Sequence, residues 1–218
     1  MNAETLADPE AAARRGAELI AAAAAEAVAA HGSFSLAVSG GRAPWRMFEL
    51  LADHELDWTR IELFQVDERV APAGDADRNL THLQSSLPSA GAGSIRPMPV
   101  TDSDLEAAAA RYADSLPERL DLVHLGLGPD GHTASLVPGD PVLEVGDRSV
   151  ATTSPYQGRR RMTLTYPALA VAARVLWLVT GADKRAALAK LIAGDDSIPA
   201  GRVANPAMTL LCDRDAAA

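Results

Sequence analysis

The chain has 218 residues, of which 48% are hydrophobic and only 4% aromatic, and its formal net charge is −9 at pH 7. That length suits one domain covering residues 1–218, and the acidic balance argues against a nucleic-acid or anionic-membrane partner, which would require a basic face. Any anionic ligand must be held by a local cluster of donors working against the overall field.

The N-terminus lacks the basic-then-apolar pattern of a signal peptide, and no apolar stretch approaches the ~18 residues of a membrane span. A soluble, cytoplasmic protein is expected. Asp8 and Pro9 predict the N-cap and first residue of a long alanine-rich helix ending near Gly32. Phe34 to Val38 reads as a strand, Pro44 to Ala52 as a helix, Ile61 to Val66 as a strand and Asn79 to Leu87 as a short helix. A brief strand is expected within 94–100, then a helix capped by Asp102 or Ser103 and closed by Pro117. An apolar strand at 120–125, short strands near 149–153 and 161–165, and a strand from Arg174 to Thr180 follow. A helix over Asp183–Ala193 and a last strand over Met208–Cys212 complete the chain, with residues 137–160 as an irregular insertion. Cys212, the only cysteine, cannot form an internal disulfide and reads as an inert buried thiol. Strands alternating with helices imply right-handed crossovers and a mainly parallel sheet covered on both faces, an α/β fold of three αβα layers.

The strand at 120–125 runs directly into Gly126-Leu127-Gly128-Pro129-Asp130-Gly131-His132. Glycines at 126, 128 and 131 allow positive φ and close backbone approach. His132 is the side chain whose ordinary pKa suits proton transfer near neutral pH. Ser39-Gly40-Gly41-Arg42-Ala43-Pro44 lies between a strand and a helix, where converging N–H groups and the helix N-terminus suit a phosphate. Asp67-Glu68-Arg69 ends the next strand and fits either a structural ion pair or a ligand site, with Arg69 gripping a phosphate and Asp67 orienting a hydroxyl or a catalytic group. Arg159-Arg160-Arg161 is a rare basic run in an acidic chain. Lys184, early in a helix after Gly181, opposes the helix dipole and hints at an anion there.

Together these motifs resemble the 6-phosphogluconolactonase family of the pentose phosphate pathway. The matching stretches are S-G-G-x-x-P at 39–44, D-E-R at 67–69, G-x-G-x-D-G-H-T-A-S-L-x-P at 126–138, R-x-T-L-T at 161–165 and G-x-x-K at 181–184. The resemblance implies the modified Rossmann-like fold shared with glucosamine-6-phosphate deaminase and ribose-5-phosphate isomerase. It also implies hydrolysis of 6-phospho-D-glucono-1,5-lactone to 6-phosphogluconate without metal or organic cofactor. Under it, His132 is the general base, Asp130 positions His132 or a ring hydroxyl, and Asp67 belongs to the catalytic set. Ser39, Gly40, Gly41, Arg42, Arg69, Lys184 and Arg161 bind the 6-phosphate, while Gly128 and Gly131 shape the loop. The expected partner is the small sugar-phosphate lactone, with the protein a monomer or weak homodimer.

Two features depart from the pattern. Arg42-Ala43 stands where a Ser-Thr pair is usual, and Val137 where phenylalanine is usual. The alternative readings are an amino-sugar phosphate deaminase/isomerase of the same fold group and a non-catalytic sugar-phosphate sensor. The deaminases resemble this chain in G-x-D-G-H but carry a glutamate at the position of Val137, which cannot titrate. The sensor would need no acid/base pair like Asp130 and His132.

Overall fold

The structure is a computed structural model that describes Met1–Ala218, the side chain of Ala92 apart. The first long helix, α1 (Pro9–His31), starts and stops where capping chemistry dictates. The Asp8 carboxylate accepts from the Ala11 N–H, Pro9 supplies a preset φ, and Gly32 closes the last turn at φ 90°. Its buried stripe is almost all small residues: Ala12, Ala13, Gly16, Ala17, Ile20, Ala23, Ala24 and Ala27. That stripe brings α1 close to α2 (Arg42–Leu51), since a Cβ on Gly16 would lie 2.5 Å from the Met47 sulfur.

The main sheet has seven strands in the order β1 (Asn2–Leu6), β10 (Met208–Asp213), β9 (Val175–Val179), β6 (Leu122–Leu125), β2 (Phe34–Val38), β3 (Ile61–Gln65) and β5 (Ile95–Arg96). Every pairing is parallel. The alternation of side chains divides the core in two. Phe34, Leu36, Leu63, Leu122, Leu176 and Leu211 pack on the α1–α2 side with Leu83 of α3 (Asn79–Ser86). Ala37, Phe64, Val123, Val175, Trp177 and Leu210 pack on the other. There they meet α5 (Leu105–Ser115), α6 (Tyr166–Val171) and α7 (Arg185–Ala193). The result is the three-layer αβα arrangement expected; the short α4 (Gly91–Ser94) and α8 (Arg214–Ala217) are peripheral.

A second sheet was not foreseen. β4 (Asp67–Arg69), β8 (Arg161–Leu164) and β7 (Val150–Thr152) form an antiparallel three-stranded layer. The chain passes from β3 into it through Val66, whose N–H donates to the Val38 carbonyl and whose carbonyl accepts from the Leu164 N–H. Asp67-Glu68-Arg69 is therefore a strand of its own rather than the tail of β3.

Other differences are local. Asp104, not Asp102 or Ser103, caps α5, because its carboxylate reaches the Ala107 N–H three residues on. Residues Ala182–Lys184 form a 3-10 turn before α7 starts at Arg185. β1 escaped the sequence reading because it is a mostly exposed edge strand with one partner, β10, and carries no apolar run. Cys212 is buried as expected. Among the described residues no helix is long and apolar enough to cross a membrane.

Candidate active site

A cavity of about 270 Å³ opens at the carboxyl ends of β2, β6 and β9. This is where the sheet changes its direction of winding: from β2 the chain builds outward through β3 and β5, then returns to place β6 and β9 on the other side of β2. Parallel α/β sheets bind ligands at such a switch point because the loops diverge there and leave a crevice. One wall is the β2–α2 turn, with Ser39, Gly40, Arg42 and Pro44; the opposite wall is the loop after β6, with Gly126, Gly128 and His132. Asp67, Arg69 and Arg161 enter from the small sheet, and Asp183 and Lys184 from the turn after β9.

The loop after β6 is built to hold His132. The Gly128 N–H donates to the His132 carbonyl (2.8 Å) and the Gly131 N–H to the Gly128 carbonyl (3.0 Å). Gly131 sits at φ 84°, and a Cβ there would strike Ile198 at 2.5 Å. The His132 Nδ1–H donates to Asp130 Oδ1 (2.5 Å), the tautomer required because a carboxylate can only accept. Burial opposes ionisation of Asp130, but the attraction of the imidazole when protonated and the hydrogen bonds from His132 and Tyr156 outweigh it. Its carboxyl is held below the usual range. Nε2 is thereby left as the open nitrogen of a ring that lines the cavity.

Gly128 matters for a separate reason. A Cβ at this position would lie 2.1 Å from His132 Nδ1 and 2.6 Å from Asp130 Oδ1. Gly128→Ala should leave the fold intact, displace the imidazole and lower kcat by ~10- to 100-fold, the usual result of misplacing a reacting group by about 1 Å. A kcat within twofold of the unmodified protein, by the rough scale of such misplacements, would show that the imidazole position does not depend on this contact.

The opposite side gathers positive charge. Arg42, Arg69, Arg161 and Lys184 line the cavity against only Asp67 and Asp183, so a local cationic excess exists in a chain of net charge −9. Arg69 and Arg161 face each other directly across the antiparallel β4–β8 pair. Like charges directly opposite one another are unfavourable, and a negative group between them relieves the repulsion. Arg161 is almost fully buried; burial pulls its pKa down, Asp67 works the other way, and Arg69 adds to the lowering. Both arginines leave a buried Nε without a partner, and so does the Ser39 hydroxyl. Unsatisfied buried donors of this kind are costly in isolation and suited to an incoming anion.

The β2–α2 turn adds backbone donors. α2 has no side-chain cap, unlike α1 and α5, so its first N–H groups open toward the cavity. Gly41 is at φ 134°, outside the range open to other residues, and a Cβ on Gly40 would lie 2.1 Å from Asn79 Oδ1. Asn79 in turn donates to the Asp67 carbonyl (3.0 Å) and carboxylate (3.2 Å), joining this turn to β4. Ser135 donates to Asp67 Oδ2 (2.5 Å), so Asp67 is anchored from two sides. Under the turn the fully buried His124 accepts from the Ser39 N–H (3.4 Å), its pKa pushed down to about 3 by burial.

Of the residues picked out from sequence, Ser39, Gly40, Arg42, Asp67, Arg69, Gly128, His132, Arg161 and Lys184 line this one cavity. Gly41, Asp130 and Gly131 stand behind its wall and shape it. Glu68 turns away: it is fully buried, ion-pairs with Arg78 (2.9 Å), and accepts from the Arg69, Asn79 and Leu80 N–H groups. The triplet thus combines a structural ion pair at Glu68 with two side chains, Asp67 and Arg69, that line the cavity. Tyr156, Ser135 and Asn79 were missed; only Asn79 carries a local signal, at the start of a helix.

The family model for glucosamine-6-phosphate isomerases/6-phosphogluconolactonase matches residues 7–212. The chain belongs to this family. A 6-phosphogluconolactonase from Nostoc sp. is 34% identical over 99% of this chain and 95% of its own length. The crystal structure of 6-phosphogluconolactonase from Thermotoga maritima superposes with a TM-score of 0.87 at 27% identity, covering 97% of this chain and 98% of that one. A monomeric glucosamine-6-phosphate deaminase superposes almost as well, TM-score 0.85, at 21% identity over 100% and 99% of the two chains. The last is a likeness of fold alone. The fold of the family therefore does not choose between its activities, and the side chains of the site must.

Proposed function

We propose that this member of the family hydrolyses 6-phospho-D-glucono-1,5-lactone to 6-phosphogluconate in the pentose phosphate pathway, with His132 as general base. The observation that carries the reading is the Asp130–His132 pair, locked through Nδ1 and open at Nε2, facing a cationic wall across one cavity. The 34%-identical relative named 6-phosphogluconolactonase supports the same substrate class. Val137, at the position where the deaminases carry a glutamate, is buried and apolar, so the proton relay of an amino-sugar isomerase lacks a member.

The chemistry follows from the geometry. His132 Nε2 takes a proton from water as its oxygen attacks the lactone carbonyl carbon. The tetrahedral intermediate collapses by breaking the bond from C1 to the ring oxygen, which takes the proton back from the imidazolium. Asp130 keeps the ring in the correct tautomer and stabilises the transient imidazolium. Arg69, Arg161, Arg42, Lys184 and the Ser39–Gly41 turn hold the 6-phosphate, so binding energy remote from C1 positions the carbonyl against the base. Asp67, held by Asn79 and Ser135, orients a ring hydroxyl and balances Arg161.

The test is a coupled assay: lactone generated by glucose-6-phosphate dehydrogenase, product followed through 6-phosphogluconate dehydrogenase, spontaneous hydrolysis subtracted. A rate well above background is the expected result; none above it, with ammonia released from glucosamine-6-phosphate, would overturn the assignment in favour of the deaminase. Arg69→Ala should raise KM by roughly tenfold or more while kcat changes much less, since a bidentate phosphate contact acts in ground and transition state alike. An unchanged KM with a lowered kcat would move Arg69 from the phosphate to the reacting end.

A further inference from the structure

Tyr156 belongs to none of the sequence motifs that build the site, yet it touches both halves of it. Its hydroxyl donates to Asp130 Oδ2 (3.2 Å), the oxygen that His132 does not use. Its ring meets the His132 ring edge-on, with centroids 5.7 Å apart, and the Arg161 guanidinium lies over it, 4.9 Å from the centroid. Few side chains can bridge a carboxylate–imidazole pair and an anion-binding arginine at once; an aromatic ring with a polar tip does both.

The ring is held there. Tyr156 and Arg159 exchange backbone hydrogen bonds (2.9 and 3.3 Å) around Gln157 and Gly158, both at positive φ (52° and 82°), a two-residue reverse turn. The Gln157 side chain accepts from Arg161 (3.2 Å), which offsets its unfavourable backbone. Arg159 ion-pairs with Asp75 and Asp77 across the neighbouring loop. We propose that Tyr156 is a positioning residue for the reaction: its hydroxyl fixes the carboxylate that orients His132, and its ring seats Arg161 in the anion site. The proposal rests on the reading of His132 as base.

The charged groups around His132 are Asp130 on its own loop, Tyr156 and Arg161 beside it, and Asp67, Arg69, Arg42, Asp183 and Lys184 across the cavity. Tyr156→Phe removes one of these interactions and keeps the ring. Asp130 then loses a donor, its charge concentrates on the oxygen facing Nδ1, and the imidazolium is favoured. The acid limb of the kcat/KM profile should therefore move to higher pH in Tyr156→Phe. KM should change little in this variant, because the ring over Arg161 is kept. Tyr156→Leu should in addition raise KM, and the Ki of inorganic phosphate as competitor, by about two- to fivefold through the lost Arg161 contact. Coincident acid limbs of kcat/KM in the unmodified protein and Tyr156→Phe would overturn the proposal, and so would an unchanged phosphate Ki in Tyr156→Leu. If His132→Ala kept full activity, the base assignment would fail instead, while the phosphate Ki of Tyr156→Leu would still report the Arg161 contact.

Discussion

Replacing His132 with alanine should lower kcat by ~10²–10⁴-fold, the range a positioned general base contributes, while the protein stays folded. The imidazole is partly exposed at the cavity wall, with a side-chain exposure of 23%, so its loss leaves no buried void. What disappears is the proposed proton acceptor and the hydrogen-bond partner of Asp130. KM should change little, because the residues proposed to hold the phosphate, Arg69, Arg161, Lys184 and the β2–α2 turn, lie away from the loop after β6. The coupled lactone assay measures both constants. A variant with kcat within a few-fold of the unmodified protein, well short of what a general base supplies, would take His132 out of the mechanism and leave electrostatic positioning as the source of rate. Hydroxide attack would then dominate, and the rate would climb with pH without the plateau a titrating base imposes.

The second large effect falls on stability. Glu68 is fully buried and shared by the Arg78 guanidinium, the Gln65 side-chain amide and three backbone N–H groups. Two of those N–H groups, from Asn79 and Leu80, begin α3, so Glu68 also caps that helix from β4. Glu68→Ala strands a buried arginine and frees the helix start. The expected loss is about 3–5 kcal/mol, as for other buried pairs broken from one side. That corresponds to a fall in Tm of roughly 10 °C for a chain of this length. Denaturant unfolding at pH 7 measures it; a loss below about 1 kcal/mol, the level of an exposed pair, would show that Arg78 finds another partner. Since β4 also carries Asp67 and Arg69, KM should rise in the same variant at temperatures where it remains folded.

The contrast between these two variants comes from neighbouring parts of one reading. D-G-H was legible because its chemistry is local: the glycines, the aspartate and the histidine act on each other within a few residues, and the loop geometry follows from their spacing. Asp67-Glu68-Arg69 was not, because its three side chains point to three distant partners. Asp67 meets Ser135 and Asn79, Glu68 meets Arg78 and the start of α3, and Arg69 faces Arg161. No spacing rule along the chain separates the buried cap from the cavity-facing pair.

By itself the sequence determined the alternation of strands and helices, the capped limits of α1 and the glycine-shaped turns after β2 and β6. These are properties of short windows, where propensity, capping and periodicity act on adjacent residues. It also determined that positive charge for an anion had to be concentrated in one place, because the chain as a whole is acidic. Tertiary structure alone decided that β4, β8 and β7 form a second sheet, that β1 seals the edge beside β10, and that Arg161 rather than Arg159 or Arg160 lines the cavity. Tyr156 belongs to the same class: its three partners lie on the loop after β6 and on β8, and its own segment reads only as a Pro- and Gly-rich insertion. Strand pairing across about a hundred residues and side-chain contact between separate loops are set by burying a shared core, and a single chain read in order carries no record of which distant segments that core will join.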